Sequence, residues 1–178
     1  MTARIEAGER TDLIVVDTGG TFNKRYRPVD GSLTVERGCA AARAILDSAS
    51  GNLAIDWLQP VCKDSLEIDE TDRATIVAAV EAAVERSPGV PVIVIHGTDT
   101  IDCTGEALAS SLPRARIVLT GSMRPHETDP VESSFNLGLA VGFVRASEQS
   151  GVFLAMNGLV RPLGQLVKDR DAGVFRLR

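Results

Sequence analysis

Aromatic side chains are scarce: Phe, Trp and Tyr together make up 4% of the 178 residues. Since 44% of the chain is hydrophobic all the same, the interior has to be built from Val, Ile, Leu and Ala, a diet typical of helices packed on a buried parallel sheet. That apolar content excludes a disordered chain. Long hydrophobic runs are missing too. The longest clean ones, such as Leu13 to Val16 and Val92 to Ile95, are strand-sized, well short of the roughly 20 residues that span a bilayer. Basic charge is in deficit, with 19 Lys and Arg against 24 Asp and Glu and a net charge of −5. No basic block occurs, which argues against nucleic acid and anionic membranes as partners. Cysteine and histidine are nearly absent. Cys39, Cys62 and Cys103 are too widely spaced for a Cys-x-x-Cys pair, and His96 and His126 are the only histidines. Neither a disulfide framework nor a metal site is expected, and no cofactor is implied. The stretch Met1 to Asp12 is polar, without an apolar core that would serve as a secretory signal, so a cytoplasmic location is the default expectation.

What the chain does have is alternation. Apolar, strand-like runs fall at Leu13 to Asp17, Leu53 to Val61, Val92 to Ile95, Arg116 to Leu119 and Gly151 to Met156. Segments of helical spacing lie between them. Ile76, Val80 and Val84 form one i, i+4, i+8 stripe; Phe135, Leu139 and Phe143 form another, introduced by Asp129 as N-cap, Pro130 at the first helical position and Glu132 three residues after the cap. Gly38 to Leu46 and Thr104 to Leu112 are shorter helix candidates. The order β, α, β, α, β, α, β, α, β predicts an α/β protein of three layers, flavodoxin-like or Rossmann-like, with a mainly parallel sheet between helices. No repeat or linker interrupts it, so a single domain over residues 1–178 is expected, with residues 1–11 flexible.

In open parallel sheets, ligands bind beyond the carboxyl ends of the strands. The segments there are Asp17-Thr18-Gly19-Gly20-Thr21, Lys63-Asp64-Ser65, His96-Gly97-Thr98-Asp99-Thr100, Thr120-Gly121-Ser122-Met123-Arg124-Pro125 and Asn157-Gly158. All five are small and polar. They offer hydroxyls, carboxylates and glycine backbone on one edge of the sheet.

The Gly-Gly-Thr turn admits several readings. Paired glycines suit a phosphate cradle, but the third glycine of GxGxxG and the P-loop pattern GxxxxGK[ST] are both absent. Thr21 also fits a nucleophile at the end of a glycine turn, which needs a base and oxyanion donors nearby. An ordinary strand-to-loop turn is the third reading. Thr98 and Asp99 place a second hydroxyl beside a carboxylate. For the base, His96 directly follows a buried-looking strand and reads as a core histidine. Lys168, in Gln165-Leu166-Val167-Lys168-Asp169, reads from spacing alone as a surface charge.

Three segments together change that balance. Thr18-Gly19-Gly20-Thr21-Phe22, His96-Gly97-Thr98-Asp99-Thr100 and Gly121-Ser122-Met123-Arg124-Pro125, in this order and spacing, resemble the signature segments of the bacterial-type L-asparaginase family. The similarity continues through Phe135-Asn136-Leu137 and Met156-Asn157 and covers nearly the whole chain. It corresponds to the family's amino-terminal domain only, full-length members being about twice as long, so the chain resembles the short-chain form.

The resemblance implies an L-asparagine amidohydrolase that uses a threonine acyl-enzyme. It places the primary nucleophile on Thr21, the second catalytic threonine and its acidic neighbour on Thr98 and Asp99, the catalytic lysine on Lys168 and the loop tyrosine on Tyr26, with Phe22 to Asp30 as a lid. Substrate binding is implied for Gly20, Asp64, Ser65, Gly97 and the Ser122 backbone carbonyl, with oxyanion donors near Gly20 and Thr98. Small-molecule L-asparagine is the implied partner, in a homodimer or higher homo-oligomer. From the residues alone, Asp64 reads equally well as a solvated loop carboxylate. Leu66 departs from the family, which usually has a polar residue beside the serine. Two alternatives stand beside the amidohydrolase: a module that binds asparagine or aspartate without turnover, and an ammonia-generating subunit of an amidotransferase.

Overall fold

The structure, a computed structural model, describes residues 11–50 and 53–178. The flexible segment expected at residues 1–11 lies, except for Thr11, outside the described residues. A six-stranded sheet forms the middle layer. Its strands are β1 (Leu13–Asp17), β4 (Ile55–Leu58), β5 (Val92–Ile95), β6 (Arg116–Thr120), β7 (Gly151–Met156) and β8 (Leu159–Pro162), arranged β4-β1-β5-β6-β7-β8. Every pairing is parallel except that of β7 with β8. Register runs straight across the sheet, Val15 opposite Ile93, Ile93 opposite Val118, and Val118 opposite Phe153. The five parallel strands therefore end on one edge, as their polar exits require.

Alternation along the central strands sorts their side chains between two cores. Ile14, Val16, Val92, Val94, Ile117 and Leu119 face α2 (Glu70–Arg86) and α3 (Ile101–Ser111), meeting Ile76, Val80 and Leu108. Leu13, Val15, Ile93, Ile95 and Val118 face α1 (Ala40–Ser50) and α4 (Pro130–Ala146), meeting Ala42, Leu46, Leu137 and Ala140. Each such aliphatic side chain contributes roughly 1.5–3 kcal/mol on burial. Asp69 starts α2 with a full capping box, its side chain accepting from the Asp72 amide while Asp72 accepts from the Asp69 amide.

Several expectations change. The second strand is shorter than Leu53 to Val61, and α1 starts after Gly38 and Cys39, both at positive φ (97° and 57°) and so outside the helix. In α4 the core-facing residues are Ser133, Asn136, Leu137, Ala140, Val141 and Val144, whereas Phe135 is 58% exposed. The Phe135, Leu139, Phe143 stripe is thus displaced from the buried face by one position. Asp129 does cap α4, accepting from the Val131 amide, but Glu132 does not reach back; it accepts from the Met123 and Arg124 amides and secures the loop after β6.

Two small hairpins complete the molecule. One pairs β2 (Lys24–Tyr26) with β3 (Leu33–Val35) directly after the Gly-Gly-Thr turn. The other pairs β9 (Leu166–Asp169) with β10 (Val174–Leu177). All three cysteines are free thiols. Among the described residues no helix is long and apolar enough to cross a membrane, and no group of three His, Cys, Asp or Glu gathers as metal ligands.

Candidate active site

The turn after β1 is built by backbone packing. Gly19 and Gly20 sit at φ 101° and 76°, which side chains avoid. Neither has room for a Cβ: at Gly19 it would lie 2.5 Å from the Lys63 carbonyl oxygen, at Gly20 2.4 Å from the Gly97 Cα. The main chain at Gly20 therefore lies directly on that at Gly97, and the turn bearing Thr21 sits beside the turn bearing Thr98. Gly97 in turn rests on Ser65, whose hydroxyl would be 2.5 Å from a Cβ there. Ser65 is buried; its hydroxyl accepts from the Asp99 amide at 3.3 Å, and its carbonyl accepts from the Thr100 hydroxyl at 2.7 Å. Three strand exits are thus locked together with almost no side-chain volume between them.

Asp17 and Asn23 brace this turn from below. The buried Asp17 carboxylate accepts through Oδ1 from the Gly19 amide and from Asn23 Nδ2, both at 2.8 Å. Burial pushes its carboxyl up to about 6 despite those bonds. The Gly20 N–H donates to the Lys63 carbonyl at 2.8 Å. That N–H is therefore engaged within the protein.

Lys168 is brought in from 70 positions away. Its Nζ donates to Thr98 Oγ1 at 2.8 Å and to Asp99 Oδ1 at 2.9 Å. Arg170, exposed, donates from its guanidinium to the same Asp99 Oδ1 and to the Asp99 carbonyl. Burial alone would raise the Asp99 carboxyl; Lys168 and Arg170 outweigh it and hold it below the ordinary carboxylate range. A cleft of about 290 Å³ opens against Thr98, Asp99, Lys168 and Arg170, with Leu166 and Phe175 in its wall.

The position of β9 depends on two asparagines. Asn136 on α4 donates to the Gly121 carbonyl at 2.9 Å and accepts from the Asn157 amide at 3.1 Å, tying the ends of β6 and β7 together. Asn157, at φ 49°, then accepts from the Phe175 amide at 2.7 Å. Phe175 stands directly opposite Lys168 in the β9–β10 pairing. A run of hydrogen bonds thus leads from α4 to the β10 residue that faces the lysine across the hairpin.

The remaining expected residues make the following contacts. Asp64 caps a short 3₁₀ turn through the Leu66 amide and pairs with Lys24; burial raises its carboxyl, but Lys24 and that amide bring it below the ordinary value. Leu66 is 73% exposed. The buried Ser122 side chain donates to the Arg124 carbonyl at 2.6 Å. Tyr26 lies on the exposed hairpin, its hydroxyl beside Gly31 and its amide bonded to Glu127 at 2.7 Å. It is not brought to Thr21. The expected lid from Phe22 to Asp30 also begins too early, since Phe22 and Asn23 are buried and Phe22 packs against His126. His96 is a core residue, bonded to the Gly97 carbonyl and the Thr104 hydroxyl, each at 2.8 Å; burial pushes its imidazole down to about 4.

Comparison with known proteins matches residues 12–168 to the amino-terminal asparaginase family model. The chain belongs to the asparaginase family. This family chain is 32% identical over 142 residues to the L-asparaginase of Thermococcus kodakarensis, covering 75% of the chain and 40% of that relative. It is 27% identical over 154 residues to the glutaminase-asparaginase of Acinetobacter glutaminasificans, covering 83% and 46%. Among solved structures, the thermostable L-asparaginase from T. kodakarensis superposes with a TM-score of 0.78 at 26% identity, over 93% of this chain and 50% of that one. A probable cytoplasmic L-asparaginase from Campylobacter jejuni shares the fold, with a TM-score of 0.78 at 22% identity, over 94% and 53%. The asparaginase-family chain thus spans about half the length of the relatives it matches.

Spacing did not point to Arg170 or to the Asp17–Asn23 brace. A carboxylate at the end of an all-apolar strand, with a short amide six residues on, is the signal that would have found the brace.

Proposed function

We propose that this chain hydrolyses the side-chain amide of L-asparagine to L-aspartate and ammonia through an acyl-enzyme. The observation that carries the reading is the bonding of Lys168 Nζ to Thr98 Oγ1 and Asp99 Oδ1 next to the turn that bears Thr21. Thr21 Oγ1 adds to the amide carbon, and its proton passes by way of Thr98 and Lys168 to the departing nitrogen, which leaves as ammonia. Water then adds to the ester carbon. Its proton returns along the same path to Thr21, and aspartate is released. Backbone donors near Thr98 receive the oxyanion of each step, since Gly20 N–H is engaged.

Asp99 and Asp64 hold the substrate α-ammonium, Ser65 and its turn the α-carboxylate, and the Ser122 carbonyl accepts from the amide nitrogen. Gly20 and Gly97, packed backbone against backbone, bring these groups alongside Thr21. Tyr26 meets Thr21 when the β2–β3 hairpin closes over substrate. Assembly into a homo-oligomer belongs to the same proposal. Ligand binding without turnover is the second reading, favoured by one observation: Arg170 already occupies the Asp99 carboxylate.

The test is ammonia release from L-asparagine at millimolar concentration, with Thr21→Ala and with L-glutamine in parallel. Release that disappears in Thr21→Ala supports hydrolysis. Folded protein that binds aspartate and releases no ammonia supports the second reading instead.

A further inference from the structure

The carboxyl beneath the nucleophile turn takes part in none of the steps above, yet everything about its placement is specific. Asp17 ends β1, is completely buried, and spends one oxygen on two donors that both belong to the turn. Asn23 Nδ2 also donates to the Gly19 carbonyl at 3.3 Å, and the Asn23 amide donates to the Gly20 carbonyl at 3.1 Å. Thr21 lies inside the loop that these bonds close. The second carboxyl oxygen, Oδ2, is buried with no hydrogen-bond partner among the described residues. A fully buried carboxyl with an idle oxygen costs stability unless it serves another end.

We propose that Asp17 is a positioning residue for Thr21: its ionised carboxylate grips the Gly19 amide and the Asn23 side chain and so holds the Gly-Gly-Thr turn in the form that presents the Thr21 hydroxyl. A charge-assisted bond is roughly twice as strong as a neutral one, so protonation of Asp17 loosens the grip without deleting it. Burial sets the protonation step near pH 6, inside the working range of most assays.

The groups that face Asp17 do not obscure that step. From the residue just ahead of α1 the Cys39 thiol stands against the carboxyl and favours its charged form, while burial and Asp17 push the thiol itself up to about 12. From the loop after β4 comes Cys62, raised by burial and by Asp17 itself. Arg43 acts on the first thiol and Arg37 on the second. Both thiols, raised above their ordinary value, stay neutral between pH 4.5 and 8. His126, packed on Phe22, is held below the ordinary histidine value by burial and by Arg25.

The role of the turn in catalysis rests on the hydrolase reading; the grip itself does not, and two measurements keep them apart. Amide nitrogen–proton spectra of the intact protein from pH 4.5 to 8 follow Gly19. The expected result is a downfield move of its amide proton with a midpoint near 6, absent in Asp17→Asn and shifted to higher pH in Asn23→Ala, which removes a donor to the carboxylate. A Gly19 amide that stays flat in the wild type, or a titration that survives in Asp17→Asn because it belongs to His126, overturns the proposal. Asparagine hydrolysis over the same range is the second measurement. Wild-type kcat falls several-fold as pH drops through the Gly19 midpoint while KM is held; Asp17→Asn runs at the low-pH rate throughout. Wild-type and Asp17→Asn profiles that coincide overturn the positioning role. Absence of hydrolysis in both, with the Gly19 titration present, refutes the hydrolase reading and retains the grip.

Discussion

Replacing Asp17 with Asn should change how folding stability depends on pH, by an amount that follows from burial. The wild-type carboxyl titrates near 6 in the folded protein against an ordinary 3.8, a difference of about 2 units, equivalent to about 3 kcal/mol. For an acid whose folded value is raised, the folded state holds the proton over the interval between the two values, and stability declines as pH climbs through it. Below about pH 3 the carboxyl is neutral in both states and costs nothing; above pH 6 the full cost is in place. Asparagine has no charge to desolvate, so the variant escapes this decline. Its added amide hydrogens sit where Oδ2 has no partner, a penalty of about 1–3 kcal/mol that is independent of pH. The stability of the variant minus that of the wild type should therefore rise by about 3 kcal/mol between about pH 3 and pH 7.5. Urea unfolding of both proteins at five or six pH values gives this difference directly, and titrations elsewhere in the chain cancel in it. A difference flat within about 0.5 kcal/mol would mean that Asp17 is not desolvated as its environment implies, and the argument would fail.

Lys168→Met removes both bonds to Thr98 and Asp99 while Arg170 still partners the carboxylate. Ammonia release should fall by about 10²- to 10⁴-fold with only about 1 kcal/mol lost in urea unfolding, and undiminished turnover would remove the lysine from the mechanism. Asn157→Ala leaves the Phe175 amide without its acceptor and puts alanine, which has little preference for φ 49°, at the turn in place of asparagine. Its cost should be about 2 kcal/mol, and activity should fall through the displaced Lys168 with no residue of the pocket altered. His96, held near 4 by burial, should show ring resonances unchanged from pH 5 to pH 8. Its folded value lies below the ordinary 6.5, so stability should be lost as pH falls through 6.5 toward 4. A ring that titrates near 6.5 would place His96 in contact with solvent.

The strands buried on both sides were legible because burial leaves no alternative reading. Leu13 to Val16, Val92 to Ile95, Ile117 to Leu119 and Val152 to Met156 are apolar at every position, and their exits were placed correctly on one sheet edge. The hairpins were missed for the opposite reason. β2, β3 and β10 are short and mostly exposed, so hydrophobic pattern says little about them. Asn157-Gly158 was the available signal for the β7–β8 turn, both residues having positive φ, and it was read only as a strand exit. Helix α4 misled because bulk was taken for burial: its core face is lined by smaller residues that let it approach the sheet, and Phe135 stays outside. In the site, Thr21, Thr98 and Asp99 stand out as hydroxyls and a carboxylate at strand ends. Lys168 does not, because its partners are set by the asparagine linkage and by a strand pairing that no local pattern encodes.

The hairpin that carries Lys168 has consequences for how this protein loses activity on warming. β9 and β10 form a sheet of their own, attached to the main body by the buried Leu166 and Phe175, by the Asn157 bond and by the bonds of Lys168 and Arg170 to Thr98 and Asp99, whereas the central strands are enclosed on both faces. Elements with few anchors open at lower free energy than the core. Heating should therefore detach the lysine arm first and leave a folded but idle sheet, so that the temperature of half-inactivation lies below the unfolding midpoint and the early loss is reversed on cooling. A staple across the outer hairpin would raise the first temperature while leaving the second nearly where it was.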